Sequence, residues 1–178
     1  MLPVASRISL IRSSNSSLIL AFLIESLIEH RELCRQRDEE FLALYRPTLD
    51  AMLEQGLPES KARRLAAKFT IANGRPHYHV SYTTAYRCVC HLLEAEAKKG
   101  NKSRTFRTEE EMGLAERRLR RKMWYEITQQ VRELRDQGMS ITTAIEHVLE
   151  HCRASRFFIS PATALTKICT RARTRALR

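Results

Sequence analysis

The chain has 178 residues, 43% of them apolar, enough to build the core of one ordinary domain or two small ones. Only five Gly and five Pro stand beside many Leu, Ala, Arg and Glu, which disfavours a turn-rich sandwich or barrel and predicts a nearly all-α fold. Thirty-one basic residues against twenty acidic ones give a net charge of +11, the balance of a protein that handles a polyanion, with nucleic acid first in line.

Residues 1–16 carry Arg7, Arg12 and several serines and read as a loose leader, for which a start assigned too far upstream is an equally good account. The apolar run Leu18 to Ile24 superficially resembles a signal sequence, but Glu25 follows at once and no small-residue cleavage pattern succeeds it. It is also far shorter than the roughly 20 residues a membrane helix needs. An apolar helix over 17–37 is the expected element, and residues 1–37 form a first segment. No membrane partner is expected. Cys34, Cys88, Cys90, Cys152 and Cys169 are an odd set without a disulfide framework, consistent with reduced thiols in the cytoplasm.

From Phe41 to Val89 the chain runs parallel to a second stretch, Met123 to Ile168, that is three residues shorter. Glu54-Gln55-Gly56-Leu57 matches Asp136-Gln137-Gly138-Met139, and Tyr78-His79-Val80-Ser81 matches Phe157-Phe158-Ile159-Ser160. Such a repeat acts as an internal control, because a function of the shared unit should be visible in both copies. Repeat one spans 38–97, a basic connector 98–119, and repeat two with its arginine-rich tail 120–178. In each first helix the pairs Phe41/Met123, Leu42/Trp124, Tyr45/Ile127, Leu49/Val131 and Met52/Leu134 form one helical stripe. Pro47 should kink or delay the first copy. Gly56 and Gly138 fall where a left-handed cap ends a helix. A second helix starts near Pro58 and near Ser140, burying Ala62, Ala66 and Thr70, or Ala144, Val148 and Cys152. A short extended aromatic segment follows. Ser81 and Ser160 then cap a third helix whose inward residues are Ala85, Tyr86 and Val89, or Ala164, Leu165 and Ile168.

The expected fold is thus all-α, with two tandem three-helix units and an N-terminal helix. This arrangement resembles helix-turn-helix DNA-binding domains, and the aromatic-valine-serine segment is similar to one in uncharacterised bacterial DNA-associated proteins. The turn between the second and third helices is longer than the usual three or four residues. The resemblance implies third helices that read DNA through Thr83, Thr84, Arg87 and His91 in one copy, and Thr163, Thr166, Lys167 and Thr170 in the other. Arginine bridges guanine edges, and hydroxyls serve bases or phosphates.

Arg75, His77 and His79 in one copy and Arg153 and Arg156 in the other lie at the entry to those helices, a position suited to phosphate. Residues 98–122 hold ten basic and four acidic side chains, net +6, with Arg117, Arg118, Arg120, Arg121 and Lys122 clustered at a helix start. Thr108 and Glu111 suggest a capping box, and residues 100–103 a flexible linker. Arg171 and Arg173 begin a tail that acts as an electrostatic arm. Tyr78 and Phe157 fit core positions better than base-stacking ones.

His77, His79, Cys88, Cys90 and His91 look like metal donors, but their counterparts Arg156, Phe158, Lys167, Cys169 and Thr170 show that the shared unit folds without a metal, so none is expected. No phosphate-binding glycine loop or HExxH motif occurs, and Glu39, Glu40 and Glu109 to Glu111 sit in charged runs that read as surface. The expectation is a non-enzymatic, cofactor-free DNA-binding protein of bacterial type, a regulator or mobile-element accessory factor. An RNA-binding protein and a helical module for an acidic protein partner, with self-association through the N-terminal helix, remain open alternatives.

Overall fold

The structure, a computed structural model, describes the backbone of residues 4–99 and 115–172 and the side chains of 24–95 and 118–172. Every regular element among these residues is helical: α1 Val4–Glu54, α2 Glu59–Asn73, α3 Tyr82–Lys99, α4 Ala115–Asp136, α5 Ile141–His151 and α6 Pro161–Thr163, which runs on into a π-helical segment, Ala164–Cys169. No helix among them is long and apolar enough to cross a membrane.

The stops follow the repeat. Gly56 (φ 78°) and Gly138 (φ 94°) both take the left-handed conformation. Around them Leu57 N–H donates to the Met52 carbonyl at 3.3 Å and Met139 N–H to that of Leu134 at 3.1 Å, closing the same Schellman turn in both copies. The starts of α5 and α6 in repeat two are capped by serine. Ser140 and Ser160 accept the amides of Thr143 and Thr163 at 3.2 and 3.0 Å, with Pro161 at the first helical position. Pro58 sits one place earlier than expected, as the N-cap rather than the first helical residue of α2.

Two expectations for the N-terminal region give way. The loose leader, the separate apolar helix and the first helix of repeat one are one continuous helix, Val4–Glu54, that passes through Pro47 without a break. Physically, no glycine or proline interrupts residues 4–46. Proline inside a helix removes one backbone bond, a loss that the packed stripe on either side of Pro47 outweighs.

The larger difference is in which helices pack together. Each repeat was expected to close on itself, but the two cores are built across the repeats. One core joins Phe41 and Tyr45 of α1 and Ala66, Ala67 and Ile71 of α2 to Phe157, Ile159, Ala164 and Ile168 of repeat two. The other joins Ile127 and Val131 of α4 and Ala144, Ile145 and Val148 of α5 to Tyr78, Ala85 and Val89 of repeat one. The stripe positions therefore point inward as read, yet each third helix completes the other repeat's pair. Tyr86, expected inward, is 39% exposed beside Tyr82 at a ring separation of 6.1 Å. The long turn between second and third helices supplies the reach for this exchange. A three- or four-residue turn would force the third helix back onto its own partners.

Candidate nucleic-acid interface

The exchange requires the segments 74–81 and 152–160 to pass each other, and the crossing is where most of the tertiary polar bonds lie. Phe157 N–H donates to the Ile71 carbonyl at 3.1 Å, satisfying an acceptor at the end of α2, and Ala154 N–H donates to the Pro76 carbonyl at 2.8 Å. Gly74 lies under the Phe157 ring. A Cβ there would fall 2.7 Å from the Thr70 carbonyl oxygen and nearer still to the ring.

Two carboxylates organise the crossing. Glu126 on α4 accepts the Tyr78 hydroxyl at 2.6 Å, the Ser155 amide at 2.7 Å and the Ser155 hydroxyl at 2.5 Å. It thus ties both segments to one helix. Burial, reinforced by the hydrogen bond to Glu126, pushes the Tyr78 phenol far above its usual range, so it remains a donor. Glu40 on α1 accepts the His77 amide at 3.1 Å and the His77 Nδ1 at 2.7 Å. His79 Nε2 approaches it at 3.2 Å, and the Arg153 guanidinium of repeat two reaches it at 3.5 Å. Glu40, read from the sequence as part of a solvated charge run, is instead a partly buried anchor. No signal in the sequence separates it from Glu39, since each has an arginine about one turn earlier, Arg37 for Glu40 and Arg35 for Glu39.

Burial opposes ionisation of Glu40, but the His77 ring and backbone hydrogen bonds and the His79 ring outweigh it, holding the carboxyl below its ordinary value of 4.5. Burial also depresses His79 below 6.5 despite the attraction of Glu40, so a neutral imidazole donates Nε2–H. Both groups bind protons more weakly folded than unfolded, so both contributions to stability exist above the unfolded value and are lost on acidification. The expected result is a first loss as pH falls below 6.5 and a second below 4.5, measured as denaturation midpoints across that range. His79→Gln should remove the upper step and shrink the lower one, to which the His79 ring contributes; an unchanged upper step would assign it elsewhere.

The candidate cations divide into groups. Arg75, Arg87, Arg118, Arg120, Lys167 and Arg171 are exposed, and no carboxylate among the described residues pairs with them. Lys122 is exposed as well, while Arg121 is half-buried, lying over the Tyr125 ring at 5.5 Å and donating to its hydroxyl at 3.2 Å. Arg156 is half-buried with its Nε shielded and unpartnered. His77, half-buried, belongs to the Glu40 cluster. Thr83, His91, Thr166 and Thr170 are exposed, on the outward sides of the third helices. The last two hydroxyls donate to backbone carbonyls, Thr166 to Ala162 at 2.8 Å and Thr170 to Leu165 at 3.3 Å.

Thr84 and Thr163 are half-buried and engaged at the caps, with hydroxyls 2.8 and 2.9 Å from those of Ser81 and Ser160. Cap geometry thus accounts for the same threonine in both copies. The Arg117 side chain and Arg173 lie outside the described residues, as do the linker and the capping box of the connector. His77 and His79 meet at Glu40 without Cys88, Cys90 or His91, and no group of three or more such donors among the described residues is arranged to hold a metal ion.

The residues described define an all-α protein with two cores closed by exchanged helices. No protein-family model matches the chain, and no curated protein and no solved structure shows significant similarity to it.

Proposed function

We propose that the protein binds nucleic acid without catalysis, duplex DNA before RNA, as a regulator or accessory factor of a mobile element. The two units are helix-turn-helix-like, with each third helix contributed by the other repeat. The observation that supports this most is the set of exposed cations with no carboxylate partner among the described residues, Arg75, Arg87, Arg118, Arg120, Lys167 and Arg171. A folded protein with internal uses for these charges would pair them. Cations left to water are suited to phosphate, with affinity that falls steeply as salt displaces less counterion gain. Thr83, Arg87 and His91 of α3 and Thr166 and Lys167 of repeat two are the residues assigned to bases, and Arg118, Arg120 and Arg171 to the backbone.

Fluorescence anisotropy with a labelled duplex tests this. Affinity should drop by about tenfold or more between roughly 50 and 200 mM salt, and Arg118→Glu with Arg120→Glu should weaken binding on every sequence alike. No binding at the lower salt would end the proposal, and preferential competition by single-stranded RNA would redirect it to RNA.

One observation favours a second reading. On α1, Ile24, Leu27 and Ile28 are 48%, 58% and 62% exposed, an apolar helix face suited to a partner helix or a second copy. In that reading the protein is an interaction module whose cations meet an acidic protein. Leu27→Glu with Ile28→Glu would then abolish association while leaving DNA binding intact.

A further inference from the structure

The second helices of the two repeats are equivalent in fold and opposite in surface. Aligned through their buried residues, Ala62 with Ala144 and Ala66 with Val148, α2 presents Arg64, Leu65, Lys68 and Phe69 where α5 presents Glu146, His147, Glu150 and His151. Phe69 is 53% exposed and Leu65 38%, flanked by exposed Arg64 and Lys68. On α5, Glu146 and Glu150 are exposed, and the His147 and His151 rings stack at 4.8 Å. Beside α5 opens a groove of about 500 Å³, lined by Leu33, Val80 and Leu149, by Glu39 and Glu150, and by the carboxylate–imidazole cluster of the crossing.

A cationic helix face carrying an apolar knob and an acidic face beside a partly apolar groove are complementary. They do not cover each other within one chain, where Arg64, Lys68, Phe69, Glu146 and Glu150 all stay exposed. We infer that α2 of one molecule docks on the α5 face of a second copy, with Phe69 entering the groove while Arg64 and Lys68 meet Glu146 and Glu150. Run parallel, the helices pair Arg64 with Glu146 and Lys68 with Glu150, and Phe69, next to Lys68, falls at the Glu150 end where the groove lies. After docking, the first molecule keeps its α5 face free and the second its α2 face. The contact is therefore heterologous, and repetition gives a ring or an open array. A single helix in a shallow groove is a small interface, so association is weak and salt-sensitive. This goes beyond the nucleic-acid reading and stands without it.

Sedimentation of the full chain without nucleic acid tests the inference. The wild type should show a weight-average mass that rises with concentration through the micromolar range and falls with added salt. R64E/K68E and E146K/E150K should each stay monomeric. Mixing the two restores association, because the reversed faces then match. F69A should weaken it with the charges intact. A wild type that stays monomeric, association that survives both reversals, or a mixture that stays monomeric would each overturn the assignment. If the wild type is monomeric and R64E/K68E lowers duplex affinity, the α2 face serves nucleic acid instead. Loss of duplex binding by R118E/R120E with self-association unchanged separates the two readings.

Discussion

Replacing Phe157 by alanine is expected to lower the stability of the whole protein by about 3–5 kcal/mol, the range for a fully buried aromatic. Its side chain is 1% exposed and meets the Phe41 ring edge-on at 5.4 Å, in the core where Ile159, Ala164 and Ile168 join α1 and α2. Its amide also holds the end of α2. Thermal unfolding would read the loss as a fall of about 10 °C or more in a chain of this size. Gly74→Ala attacks the same contact from the other side. Its methyl has no space against the ring or the Thr70 carbonyl, at an expected cost of about 1–3 kcal/mol. Removing the ring relieves part of that clash, so the double variant should lose less than the sum of the two. Additive losses would mean that Gly74 is required for the backbone alone.

The second large effect concerns cutting the chain between its halves. Residues 1–99 and 115–178 prepared separately each lack the helix that closes their main core, because α3 packs on α4 and α5 while repeat two's last helix packs on α1 and α2. Each half alone should show no cooperative unfolding transition. Mixed in equal amounts they should form a one-to-one complex that unfolds cooperatively, read by circular dichroism and sedimentation. If each half unfolds cooperatively as a monomer, the third helices pack equally well at home and the exchange is not required for stability.

Local structure was largely legible in the sequence because its causes are local. Gly56, Gly138, Ser140, Ser160 and Pro161 act through φ preferences and hydrogen bonds spanning only a few residues. The inward stripes of the first two helices in each repeat were equally visible. What covers a stripe was not, since Ala85 and Ala164, or Val89 and Ile168, are interchangeable as core residues and a repeat makes packing at home and packing across look alike. The candidate cations were read from charge, which specifies solvent and not a surface. Glu40 and Glu126 were hidden for the opposite reason. A carboxylate that anchors a distant segment is indistinguishable in sequence from one that faces water, until His77, Arg153, Tyr78 and Ser155 are brought to it.

The exchange of third helices also bears on synthesis. A chain made from its N-terminus produces α1 and α2 early, but the apolar face they share stays open until the final helix emerges. The α3–α4–α5 core can close first, because α3, though part of repeat one, is made just before its partners. Closing contacts between opposite ends of a chain is slow, and the exposed face meanwhile invites association with other nascent chains. Truncation by premature termination anywhere before Ile168 would therefore leave half of the protein open, however complete its first repeat.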